Sequence, residues 1–165
     1  MKKVLPIALG VAVLYLIYDF FQGNGGGLSV AGVNIPSIPN VSPEAIQAFA
    51  FAISVAEGFG QPNAIPTLAN NPGDITDVGQ NLPGDTGQRM GQNIIVFDSV
   101  SDGWNALYAQ AGRMLSGTDP LWPRTWTLIQ TGAQYAGDPQ NWPVNVADSL
   151  DVNTSTTLGQ VAEIA

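Results

Sequence analysis

The segment that most restricts what this chain can fold into is its first. Lys2 and Lys3 precede an apolar run from Val4 to Tyr18, which Asp19 breaks and Phe20-Phe21 closes. As a helix, Val4 to Phe21 is roughly 27 Å long, close to the ~30 Å hydrocarbon core of a bilayer. Tyr15, Tyr18 and the Phe pair fall where an interfacial aromatic belt belongs. A buried core helix would need a polar face, which this stretch lacks. The expectation is an uncleaved transmembrane anchor over residues 1–21, with the two lysines holding the N-terminus in the cytoplasm. The alternative is a cleaved signal peptide, with Ser29-Val30-Ala31 as a small-residue site well beyond the apolar run. Either way, the chain beyond Phe21 is sent across a membrane or into a virion that contains one.

The remainder divides into a tether and a domain. Gln22 to Gly27 is a glycine-rich hinge, and Leu28 to Val41 carries Pro36 and Pro39. Residues 22–41 therefore read as a flexible linker able to span up to ~70 Å. The folded domain is expected over 42–165. Ser42-Pro43-Glu44 is a helix start, with a hydroxyl cap, proline at the first helical position and an acid near the positive dipole end. That helix runs to about Glu57 and stops at Gly58-Phe59-Gly60. Residues 61–91 are rich in Gly, Pro, Asn and Asp and read as loop or short hairpin strands, too long for an idle connection. Gln92 to Asp98 is the best strand. Ser99 and Asp102 open a second helix, to about Leu115, with a stripe of Trp104, Leu107, Tyr108, Ala111 and Leu115. Further helices are expected over 125–134, 142–151 and 157–164, with no internal repeat. The fold class is mainly α, an α+β domain with a small β-hairpin.

Composition removes most chemistries. The chain has no Cys and no His, which excludes Ser-His-Asp and Cys-His catalysis, zinc sites built on those ligands, thiol redox chemistry and disulfides. Acid–base work falls to Asp, Glu, Lys or Tyr. The net charge is -8, with five Lys/Arg against thirteen Asp/Glu, and two of the five precede the apolar run. A basic patch for nucleic acid has no material here.

Of the glutamates, Glu44 caps a helix and Glu163 lies in the tail. Glu57 extends the stripe of Ile46, Ala50 and Ile53, because a helix advances about 100° per residue. A carboxyl there sits against apolar surface, and both desolvation and the negative helix end raise its pKa, as a general acid requires. The plain alternative is a Glu that bends outward at a frayed end. Asn70-Asn71-Pro72-Gly73-Asp74-Ile75 is a turn whose amides suit sugar hydroxyl and acetamido groups.

The ordered set Ala56-Glu57-Gly58-Phe59, Asn70 to Ile75, Ile95-Val96-Phe97 and Ser99 to Trp104 resembles a lysozyme-like lytic transglycosylase family found in phage virion proteins and lysins. Trp126 to Ile129, Tyr135-Ala136 and Asn145 to Ala147 fit its C-terminal helices, so the resemblance covers roughly residues 42–158. It implies a lysozyme-like domain that cleaves the β-1,4 bond between N-acetylmuramic acid and N-acetylglucosamine in peptidoglycan, without cofactor or metal. Glu57 is then the catalytic acid, and Asn70 and Asn71 shape the cleft or contact sugar. The family pattern reads N-N-P-G-N, so Asp74 departs from it and is either a second carboxylate or a turn residue.

Two routes remain open. Hydrolysis needs a second carboxylate, for which Asp74, Asp77 and Asp85 are candidates that also read as turn residues. The transglycosylase route, which the resemblance favours, uses Glu57 alone as acid and then as base toward the sugar's 6-hydroxyl. Tyr135, Trp104 and Trp142 offer faces for sugar stacking or for the core. Arg124, beside Trp122 and Trp126, could meet a peptide-stem carboxylate. The expected partners are peptidoglycan, a lipid membrane through the N-terminal helix and other virion proteins, with no nucleic acid. The protein would sit single-pass in a virion membrane or a host inner membrane, its domain on the periplasmic side. The rival is a catalytically inactive, membrane-anchored phage structural protein that keeps the fold.

Overall fold

The computed structural model describes residues 32–164; the expected anchor at 1–21 and the hinge at 22–27 lie outside them. Among the described residues helices dominate, with one two-stranded sheet. In chain order the elements are α1 (Pro43–Ala56), α2 (Ile65–Leu68), β1 (Asp85–Met90), β2 (Ile94–Phe97), α3 (Val100–Ser116), α4 (Leu128–Tyr135), α5 (Asn141–Leu150) and α6 (Leu158–Val161). No described helix is long and apolar enough to cross a membrane.

α1 is the central element. Ser42 Oγ accepts from the Ala45 N–H, and the apolar residues run round most of the helix, so Ala45, Ile46, Phe49, Ala50, Ala52 and Ile53 are all fully buried. A helix apolar on so many sides must be covered on several; α5 and α3 both pack on it. It ends in a Schellman turn: Gly58 takes φ +77, its N–H donates to Val55 O (3.1 Å), and the Phe59 N–H donates to Ser54 O (2.9 Å). Phe59 then meets Trp104 of α3 edge-on, at 5.8 Å between rings. That contact fixes the direction in which the chain leaves the helix.

α3 starts at Ser99, whose Oγ accepts from the Asp102 N–H, and all five residues of the expected stripe are buried. β1 and β2 pair antiparallel, Arg89 opposite Ile95, with an irregularity between Asp85 and Arg89. Ile95 and Phe97 of β2 pack with Ala106 of α3 in a second, smaller core.

One expectation needs correction. Residues 32–41 are not free linker. The Asn34 N–H donates to Asn105 Oδ1 (2.6 Å), Asn105 Nδ2 donates to Gly32 O (2.8 Å), and Val33, Ile35 and Ile38 pack on the main core. Gly112 lets Ile38 approach: a Cβ there would stand 3.0 Å from Ile38 Cγ1. Residues 32–41 therefore belong to the domain. Two of the later helix starts also match each other. Thr127-Leu128-Ile129-Gln130 and Thr157-Leu158-Gly159-Gln160 form matching capping boxes at the starts of α4 and α6. The two starts pair with each other: the Leu128 N–H donates to Thr156 O (3.0 Å) and the Leu158 N–H to Trp126 O (2.9 Å). This clamp closes the C-terminal end of the domain onto α4.

Candidate active site

Glu57 is the C-cap of α1, one residue past a helix buried on most sides. Its backbone is fixed by an N–H donated to Ile53 O (2.9 Å) and by the glycine turn after it. The α1–α5 packing brings Trp142 to it across the core, and Trp142 Nε1–H donates to Glu57 Oε1 at 2.8 Å. Indole is a donor only. Oε1 is therefore held as an acceptor, which leaves Oε2 to carry the proton when the group is neutral. The Glu57 pKa is pushed up to about 7, first by burial and second by the negative charge of Asp74; the Trp142 hydrogen bond opposes both.

The loop from Asn70 to Ile75 lies between β2 and α3 and carries that second carboxyl. Asn70 takes φ +53 and its Nδ2 donates to Phe97 O (3.1 Å). Asn71 is fully buried, and its carboxamide is fully engaged with the backbone: Nδ2 donates to Ile75 O and Ile95 O, and Oδ1 accepts from the Ile75 N–H, each at 2.9 Å. Of the two roles expected of it, only shaping the site remains. Gly103 of α3 makes room for the loop, since a Cβ there would collide with Asn70 O and Pro72. Gly73 is pinned from the other side by Tyr135, whose hydroxyl donates to Gly73 O at 2.6 Å.

Tyr135 does not present a free hydroxyl. Its ring lies between Trp142 (5.4 Å) and Trp122 (6.0 Å). Burial, with the charges of Glu57 and Asp74 behind it, holds the phenol protonated far above its ordinary range. Its observed part is to fasten the Asp74 loop to the α4–α5 end of the domain. Trp104 and Trp142 are core residues, 5% and 3% exposed. Asp74 takes φ +51, donates its N–H to Asn71 O (3.1 Å), and has a buried Oδ1 without a hydrogen-bond partner. Burial pushes its pKa up to about 6.

The other two candidate carboxylates are committed elsewhere. Arg89 forks between them, Nη2 to Asp77 Oδ2 at 2.6 Å and Nη1 to Asp85 Oδ1 at 2.7 Å. Asp77 is held below the ordinary range by the Gly79 N–H and by Arg89, and Asp85 by Arg89 and by the Gly87 N–H. Both stay ionised and paired. Arg124 donates to Gly159 O (3.2 Å), so part of its guanidinium serves the C-terminal clamp. Among the described residues no group of three acidic side chains converges to hold a metal ion.

No protein-family model, curated protein or solved structure matches the chain. Function is therefore read from the site itself. Sequence reasoning singled out Glu57 and Asp74, and the two share one environment. It considered Trp142 for stacking and missed its bond to Glu57, which spans 85 positions and is marked by no local motif.

Proposed function

We propose that this chain is a peptidoglycan-cleaving, lysozyme-like glycosidase of the lytic transglycosylase type, tethered to a membrane by its N-terminal segment and carried by a phage virion to open the wall. The observation that carries the proposal is Glu57: a carboxyl at the end of a buried helix, pushed up to about 7 and locked at one oxygen by Trp142. Such a group is still half protonated at neutral pH and can donate from its second oxygen. Protonation of the glycosidic oxygen releases the N-acetylglucosamine 4-hydroxyl and leaves positive charge on C1 of the muramic acid. The Glu57 carboxylate then takes the proton of that sugar's 6-hydroxyl as the 6-oxygen closes on C1, giving a 1,6-anhydro end. The acid is regenerated without a cofactor.

One observation favours the non-catalytic reading. Asn71 and Tyr135 were candidates for sugar contact, yet the Asn71 carboxamide and the Tyr135 hydroxyl are both engaged by the protein's own backbone. The test is turbidity loss and muropeptide release from purified peptidoglycan by the full-length chain in mild detergent, beside Glu57→Gln. Release by the wild type alone supports the enzyme. A folded chain that binds wall and releases nothing makes it a structural or binding module.

A further inference from the structure

Four loop aspartates in this domain have ordinary work. Asp77, Asp85, Asp119 and Asp138 each accept a backbone N–H two residues on, at 2.7 to 2.9 Å, and so tie their own turns. Asp74 has a turn position and a left-handed backbone, yet its Oδ1 is buried and accepts nothing. The turn around it is tied by others. Asn71 holds Ile75 after it and Tyr135 holds Gly73 before it, so the backbone of Asp74 is fixed from both sides without its side chain. Asparagine also tolerates φ near +51 and carries no charge. A turn-only role would thus be better served by the amide, because a carboxylate oxygen buried without a donor costs stability and the charge of Glu57 opposes that of Asp74. Local rules are broken in this way where a site needs the group.

We infer that Asp74 is a second catalytic carboxylate, one that delivers water to C1 and diverts a share of the second half of the reaction from the sugar's 6-hydroxyl, so that reducing ends form beside the anhydro ends. The inference rests on the glycosidase reading of Glu57. An anhydro-forming enzyme needs one carboxyl, whereas attack by water uses two. The Glu57 carboxyl protonates the glycosidic oxygen, and the C1–O bond breaks with its electron pair going to the leaving 4-hydroxyl. The water oxygen bonds to C1 as the Asp74 carboxylate removes its proton. The product is a reducing end, and Asp74 passes its proton to solvent while Glu57 regains one. One water is consumed per bond cleaved. Tyr135 and Asn71 are positioning residues for this step: they touch the Asp74 loop and leave its carboxyl free.

The test is digestion of peptidoglycan in oxygen-18 water by the full-length chain and by Asp74→Asn, with mass analysis of the sugar ends. The wild type is expected to release reducing-end muropeptides carrying one heavy oxygen beside its anhydro ends. In Asp74→Asn the ratio of reducing to anhydro ends should fall by about tenfold or more. Should that variant not fold, the wild-type ratio read between about pH 5 and pH 7.5 decides. It should fall on the acid side, where Asp74 becomes protonated and can no longer take a proton from water. Anhydro ends alone from the wild type, or a ratio indifferent to both Asp74 and pH, overturns the inference and leaves the glycosidase standing. No release at all removes both.

Discussion

Glu57 and Trp142 form a donor–acceptor pair whose effect has a definite sign. The indole N–H stabilises the carboxylate, so it holds the Glu57 pKa below where burial and Asp74 alone would place it. Trp142→Phe keeps a ring against Tyr135 and removes the donor. Glu57 should then stay protonated to higher pH, and the alkaline limb of the activity profile should move upward. Stability should fall by about 1–3 kcal/mol from lost packing and the lost bond. An unmoved limb in a folded variant would remove Trp142 from the site. Glu57→Gln keeps an acceptor for the indole but no acid, and muropeptide release should drop at least about a hundredfold. A smaller loss would mean that another group supplies the proton.

At the scale of elements, the loop at 70–75 is held by a side chain that mimics a strand neighbour. Asn71 bonds to both Ile75 and Ile95, joining the loop to β2 through its carboxamide. Asn71→Ala leaves two carbonyls and one N–H without these partners, and should destabilise by about 3 kcal/mol or more in urea unfolding. Loss near zero would mean that water replaces the amide at no cost. The helices were largely legible because their signals are local: Ser42 and Ser99 cap as read, whereas Thr127 and Thr157, placed inside the expected helices, cap them instead. β1 was legible only as loop or hairpin. Its residues are mostly polar and half or fully exposed, Gly87 takes a positive φ, and pairing with β2 rather than propensity makes it a strand. The stretch at 32–41 read as linker because prolines and small residues mark extended chain, whereas its docking depends on a gap over Gly112 that only the folded α3 provides. Glu57 was visible from helix periodicity. Its tie to Trp142 was not, because α5 meets α1 only in three dimensions.

For the whole molecule, the carboxyls divide into two groups with opposite effects on stability. Glu57 has a folded pKa of about 7 against an ordinary 4.5, and Asp74 about 6 against 3.8. Between those limits the folded protein binds more protons than the unfolded chain, so stability declines as pH rises from about 4 to 7 and then levels. Asp77, Asp85 and Asp138 are lowered in the fold, so their contribution is present above the unfolded value and is lost as pH falls below it. The two trends together place maximum stability on the acid side, near about pH 4 to 5, although many proteins peak between about pH 5 and 8. For Glu57 the cost of ionisation is on the order of 3 kcal/mol, shared with Asp74 because the two titrate as a pair. Thermal unfolding should therefore show a melting temperature that falls from about pH 5 to pH 8 in the wild type. In Glu57→Gln/Asp74→Asn the fall should largely disappear, and the variant should be more stable than the wild type at about pH 8. A wild-type melting temperature that rises over that interval would mean that the two carboxyls are solvated in the fold. In that case the acid for glycoside cleavage would have to be sought elsewhere in the chain.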